Sequence, residues 1–121
     1  KHAPLGPLVV GGFSQGGAMA QEMLQLPLAD RIVGVVAMGT RLVREMELRL
    51  RLAELEPKHL FWMHGERDLR VSIQDGWAVA HVFESAGWAM ELIEHPKGHM
   101  IPMEHHAALK EWLTALSQIR L

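Results

Sequence analysis

Four short apolar runs punctuate the chain, and helical patterns lie between them. Leu8-Val9-Val10 is the first, followed by Gly11-Gly12. Ile32 to Met38 is the second, apolar at almost every position, and Leu60-Phe61-Trp62-Met63 is the third. Continuously apolar short runs are what strands covered on both faces look like, because neither face meets water. The fourth run, Met90-Glu91-Leu92-Ile93-Glu94, is half polar and suits a sheet edge.

Helix signals fill the gaps. Met19, Met23 and Leu26 recur at i, i+4 and i+7, which predicts a helix over 15–26 closed by Pro27. In 42–56, Met46, Leu48, Leu50 and Leu52 alternate like a strand, yet Leu, Glu and Arg are good helix formers. We read this segment as helix, ending before Pro57. Ser72 with Asp75 three residues on has the pattern of a capping box. Trp77, Ala80 and Phe83 follow at helical spacing, and Gly87 can end that helix. Pro102 suits a first helical turn, and Leu109, Trp112, Leu113 and Leu116 carry a helical face to the C-terminus.

The order is therefore β-α-β-α-β-α-β-α. Such alternation with short connections predicts an α/β fold: a parallel sheet with right-handed crossovers and helices on both faces. Ligands of such sheets bind at the carboxyl ends of the strands, so chemistry is sought just after each strand.

Composition narrows the function classes. With 121 residues, 49% apolar and 21% charged, the chain suits one small globular domain. A net charge of −2 gives no electrostatic argument for nucleic acid or an anionic membrane. The run from Ile32 to Gly39 is far too short for a transmembrane segment. Having no cysteine, the chain has no disulfide, thiolate metal site or cysteine nucleophile. That fits a reducing compartment, and a cytoplasmic location is expected. The first residue is Lys1 and not a methionine, so a native N-terminus is not in view and the absence of a signal segment is uninformative.

After the first strand comes Gly12-Phe13-Ser14-Gln15-Gly16-Gly17, a G-x-S-x-G between a strand and a helix. A serine on that sharp turn is held with its hydroxyl above the sheet. Gly12 and Gly16 fit the steric need, since side chains two before and two after the serine would collide. The helix that begins there favours developing negative charge, and the Gln15 N–H is placed to be an oxyanion donor. A serine nucleophile needs a base and a group to orient it. Of the three aspartates, Asp30 precedes a strand and Asp75 caps a helix, which leaves Asp68, in the loop after the third strand. Two histidines follow the fourth strand. His95 lies nearer the strand end and is restrained by Pro96, whereas Gly98 gives the loop freedom to turn His99 inward. We favour His99, with His95 as its competitor. His64 is read as a packed or hydrogen-bonded residue at a strand end. His105 and His106 point different ways on the last helix, so no histidine set has metal-ligand spacing and no metal is expected.

The set resembles the carboxylesterase, acyl-protein thioesterase and lysophospholipase group of α/β-hydrolases. The octet Gly12-Phe13-Ser14-Gln15-Gly16-Gly17-Ala18-Met19 is similar to that group's nucleophile segment. His64-Gly65-Glu66-Arg67-Asp68 resembles its acid segment, and Gly98-His99-Met100-Ile101 with Trp112-Leu113 resembles its histidine segment and closing helix. The likeness covers essentially the whole chain. It implies Ser14 as nucleophile, Asp68 as orienting acid and His99 as base. It implies hydrolysis of small-molecule or lipid-like acyl esters or thioesters through an acyl-enzyme, without a cofactor. A peptidase or lactone hydrolase on the same fold is the alternative chemistry.

Departures from the group's pattern carry their own expectations. Ser72 stands where proline is common, and His95-Pro96-Lys97 where a tyrosine usually begins the approach to the histidine. Gly39-Thr40-Arg41 replaces a small, uncharged stretch near the pocket, and Arg41 is expected to be a solvated residue at a helix start. The resemblance also implies a preceding half with further strands and a second oxyanion donor. Residues 1–121 are thus read as a partial domain, from nucleophile strand to C-terminal helix. Its first strand is expected to be an open edge prone to self-association. A catalytically incomplete fragment or oligomer module is the corresponding alternative.

Overall fold

The computed structural model describes residues 6–118. Four strands, β1 (Leu8–Phe13), β2 (Ile32–Met38), β3 (His59–Gly65) and β4 (Ala89–His95), alternate with four helices. The helices are α1 (Gln15–Met23), α2 (Glu45–Glu54), α3 (Ile73–Ser85) and α4 (His106–Ser117). Short 3-10 turns at Pro27–Arg31 and Met103–His105 precede β2 and α4. The sheet order is β1-β2-β3-β4, and every pair is parallel.

Helices cover both faces. On one, Leu60 and Trp62 of β3 pack with Ala20 of α1 and Leu24 just beyond it, Leu48 and Leu52 of α2, and Val79 and Phe83 of α3. On the other, Val36, Met38, Phe61 and Met63 form a second cluster against Leu109 and Trp112 of α4. The alternation of Leu60 and Trp62 with Phe61 and Met63 explains the continuous apolar run in β3: both faces are buried. β1 and β4 are the edges, and most of their positions are exposed or only partly buried.

Local signals account for most boundaries. The Ser72 Oγ accepts the Asp75 N–H at 3.1 Å, capping α3. Gly87 adopts φ +87° just beyond that helix, the left-handed conformation that releases the chain into β4. The helix predicted over 15–26 ends earlier, at Met23. Leu24, Gln25 and Leu26 donate to carbonyls three residues back, a tightening of the chain ahead of Pro27. Pro27 holds Leu26 extended and begins the 3-10 turn, so it acts beyond the helix and not on its last turn. The segment 42–56 is helical, with α2 burying Leu48 and Leu52. Among the described residues, no helix is long and apolar enough to cross a membrane.

Candidate active site

Ser14 stands between β1 and α1 with φ +60° and ψ −116°, outside the favoured regions for an L-residue. Its N–H donates to the Met38 carbonyl at 2.8 Å, so the strained residue is still bonded to β2. The turn needs room. A Cβ at Gly12 would lie 2.8 Å from the Gly16 Cα. A Cβ at Gly16 would meet nothing within 4 Å, which corrects the expectation that both glycines are sterically required. The second close approach belongs to Gly17, whose Cβ would lie 2.8 Å from Thr40 Cγ2. The pressure comes from the β2–α2 loop, which a local motif does not reveal. Gln15 opens α1, so its N–H has no carbonyl one turn earlier to bond.

Three side chains meet above the sheet. The Ser14 Oγ lies 3.1 Å from His99 Nε2, and His99 Nδ1 lies 2.7 Å from Asp68 Oδ2. A carboxylate only accepts, so Nδ1 carries the proton and Nε2 is free to accept from the serine hydroxyl. The Phe13 ring packs on the His99 imidazole with centroids 4.5 Å apart. The Asp68 side chain is fully shielded from solvent and that of His99 is 14% exposed. Asp68 Oδ1 accepts the N–H groups of Arg70 and Val71, each at 2.8 Å. Burial pushes the Asp68 carboxyl up, but the Val71 N–H, His99 and the Arg70 N–H together hold it below the usual carboxylate range.

The other candidates fall outside this trio. His95 ends β4 almost fully buried, its Nδ1 accepting the Lys97 N–H at 3.2 Å. The loop then turns, with Glu66 and Arg67 N–H groups donating to the carbonyls of His95 and Lys97, and brings His99 to Ser14. Burial pushes the His95 imidazole below its ordinary value, outweighing the backbone of Met100, which favours the protonated ring. His64 is buried in β3, and its Nε2–H donates to the Val71 carbonyl at 2.8 Å. It thereby braces the turn that carries Asp68. Asp75 sits exposed in the first turn of α3, and Asp30 in the 3-10 turn before β2. Among the described residues, no three His, Asp or Glu side chains converge as metal ligands do.

A groove of about 350 Å³ opens beside Ser14 and Gln15, walled by Thr40, Arg41, Arg70 and Val71. A larger cavity, about 560 Å³, lies at the other end of the sheet around Asp30 and His59. The groove wall depends on Gln21, a buried side chain that the sequence reading passed over. Its Nε2 donates to the Arg41 carbonyl and its Oε1 accepts the Val43 N–H. A polar residue one turn after Gly17, on the buried face of α1, is the signal that could have found it.

Residues 3–117 match the family described as Phospholipase/Carboxylesterase. The chain belongs to that family. Among relatives of this phospholipase/carboxylesterase chain, acyl-protein thioesterase 1 of Neurospora crassa is 30% identical over 119 residues, covering 92% of this chain and 46% of the relative. Solved structures share the fold. Acyl-protein thioesterase 2 of Zea mays gives a TM-score of 0.74 at 22% identity, over 91% of this chain and 56% of that one. A Bacillus cereus carboxylesterase gives 0.72 at 21% identity, over 90% and 50%. The phospholipase/carboxylesterase chain thus has part of an α/β-hydrolase fold and spans about half the length of the relatives it matches.

Proposed function

We propose that this chain carries the reacting groups of a serine hydrolase that cleaves carboxylic esters or thioesters. The observation that carries the reading is the aligned pair of contacts, Ser14 Oγ to His99 Nε2 at 3.1 Å and His99 Nδ1 to Asp68 at 2.7 Å. In this reading His99 takes the Ser14 proton as the Oγ attacks the acyl carbonyl. The Asp68 carboxylate holds the imidazole in the required tautomer and stabilises the imidazolium. The oxyanion draws on the Gln15 N–H and the positive end of α1. His99 then returns its proton to the departing alcohol or thiol. Water activated by the same imidazole releases the acid from Ser14. The test is labelling by a serine-directed phosphonate, which should be lost in Ser14→Ala. Labelling that persists in that variant removes Ser14 from the role.

A second part of the reading concerns completeness. Residues 1–121 form one part of a larger hydrolase domain, and a second oxyanion donor comes from outside them. Losing one such donor costs about a hundred- to a thousandfold in turnover. The half-exposed β1 edge, with Val9 40% exposed, supports this, and it also makes self-association through β1 the expected behaviour of the chain alone. Size-exclusion chromatography combined with p-nitrophenyl ester turnover tests it. A monomer with fast turnover overturns it.

A further inference from the structure

The groove beside Ser14 has an unbalanced wall. It contains two guanidinium side chains, Arg41 and Arg70, and no carboxylate. Four other cations are neutralised by carboxylates. Arg44 pairs with Glu22 at 2.6 Å, Arg49 with Glu45 at 2.9 Å, Arg51 with Glu54 at 3.0 Å and Lys97 with Glu104 at 3.3 Å. Among the described residues, Arg41 and Arg70 make no such ion pair, and neither do Arg31, Lys58, Arg67 and Lys110; what sets the two arginines apart is their place on the groove wall.

Arg41 is exposed, as expected of a solvated residue, but it lies in the loop ahead of α2 and is also held in place. Its Nη2 donates to the Arg70 carbonyl at 2.9 Å, tying the β2–α2 loop to the β3–α3 loop across the groove. Its own carbonyl is gripped by the buried Gln21. The Arg70 N–H is in turn bonded to Asp68, the acid of the trio. The groove wall and the reacting groups therefore share one hydrogen-bonded frame. A guanidinium fixed in this way loses little further freedom on binding and keeps most of its five N–H donors for an anion.

We infer that this groove receives the anionic end of the substrate, with Arg41 and Arg70 as its specificity-determining residues. The class is an ester or thioester bearing a carboxylate or similar anion close to the scissile carbonyl. The small volume of the groove suits a short group, at the lower end of about 300–1,000 Å³ for small-molecule sites. The inference rests on Ser14 being the nucleophile.

The test compares Ser14 acylation by paired esters that differ only in charge. p-Nitrophenyl hemiadipate, whose carboxylate is too far away to cyclise readily, against its methyl ester places the charge on the acyl side. p-Carboxyphenyl butyrate against its methoxycarbonyl counterpart places it on the leaving group. Charge-assisted hydrogen bonds of this kind are worth about tenfold or more, so at least one pair should favour the anion by that factor. The preference should shrink as salt is raised. It should fall to near unity in the double variant Arg41→Met/Arg70→Met and survive in part in Arg41→Lys/Arg70→Lys. Equal rates within both pairs, or a preference unchanged by the methionine pair, overturns the inference while Ser14 keeps its role. If Ser14 reacts with none of the esters and is not labelled by the serine-directed phosphonate either, the nucleophile reading fails and this one with it.

Discussion

His99 Nδ1 and Asp68 Oδ2 lie 2.7 Å apart although 31 residues separate them in the chain. Replacing the carboxylate with an amide tests what that contact does. In Asp68→Asn, the side-chain oxygen can still accept the Arg70 and Val71 N–H groups. The amide NH2 would face Nδ1 and favour the tautomer whose Nε2 carries the proton, so the imidazole could no longer accept from Ser14. We expect phosphonate labelling of Ser14 to slow by about a thousand- to ten-thousandfold, with a cooperative unfolding transition retained. Labelling at the wild-type rate would show that the contact is structural only.

The same carboxylate should make the fold acid-sensitive. Its folded value is lowered from the usual 3.8, so its stabilisation is fully present above that pH and is lost as pH falls through the lowered value. Urea midpoints measured from about pH 4 downward should therefore fall less steeply for Asp68→Asn than for the wild type. Parallel slopes would contradict the lowered value.

His95 should act at higher pH, with the same sign. Burial holds its imidazole below 6.5, against the protonating influence of Glu104 and with His105 and His64 nearby. The neutral ring's contribution is complete above the unfolded value and is lost as pH drops below 6.5 through the folded value. His95→Phe keeps a ring without a titrating group. The change in urea midpoint between about pH 7 and pH 5 should be smaller in that variant. An undiminished change would assign the pH sensitivity to another histidine.

The two adjacent glycines of α1 should respond in opposite ways. Gly17→Ala drives a methyl to 2.8 Å from Thr40 Cγ2 and 3.1 Å from the Gly12 carbonyl oxygen, and should cost about 1–3 kcal/mol. Gly16→Ala meets nothing within 4 Å and removes flexibility from a helix, so it should be neutral or stabilise by up to about 1 kcal/mol. Denaturation of both variants decides the matter. A Gly16→Ala loss as large as that of Gly17→Ala would refute the steric assignment.

Much of this was legible because the signals are local. The apolar runs located all four strands, since burial on both faces leaves no polar alternation to confuse the reading. Strand ends were missed where polar residues such as His59 and His95 continue the ladder, because backbone hydrogen bonding extends past the apolar stretch. The trio of Ser14, Asp68 and His99 could be ordered from topology, because each follows a different strand at its carboxyl end. His95 and His99 could not be separated by spacing alone, for the choice depends on a loop turn fixed by the carbonyls of His95 and Lys97. The grip of Gln21 on the Arg41 loop and the link from Arg41 to Arg70 were invisible for the same reason. Such contacts join residues 20 and 29 positions apart and leave no mark on the local pattern.

The strands lie in space in the order in which they occur in the chain. A ribosome can therefore deliver them one at a time, each docking on its predecessor without waiting for a later segment to insert between them. Ser14 and His99, however, are 85 residues apart. A growing chain thus holds a strained serine turn long before it holds the imidazole that lies 3.1 Å from its hydroxyl. In the proposed reading, the hydroxyl remains an ordinary alcohol until the fourth strand has been made and docked.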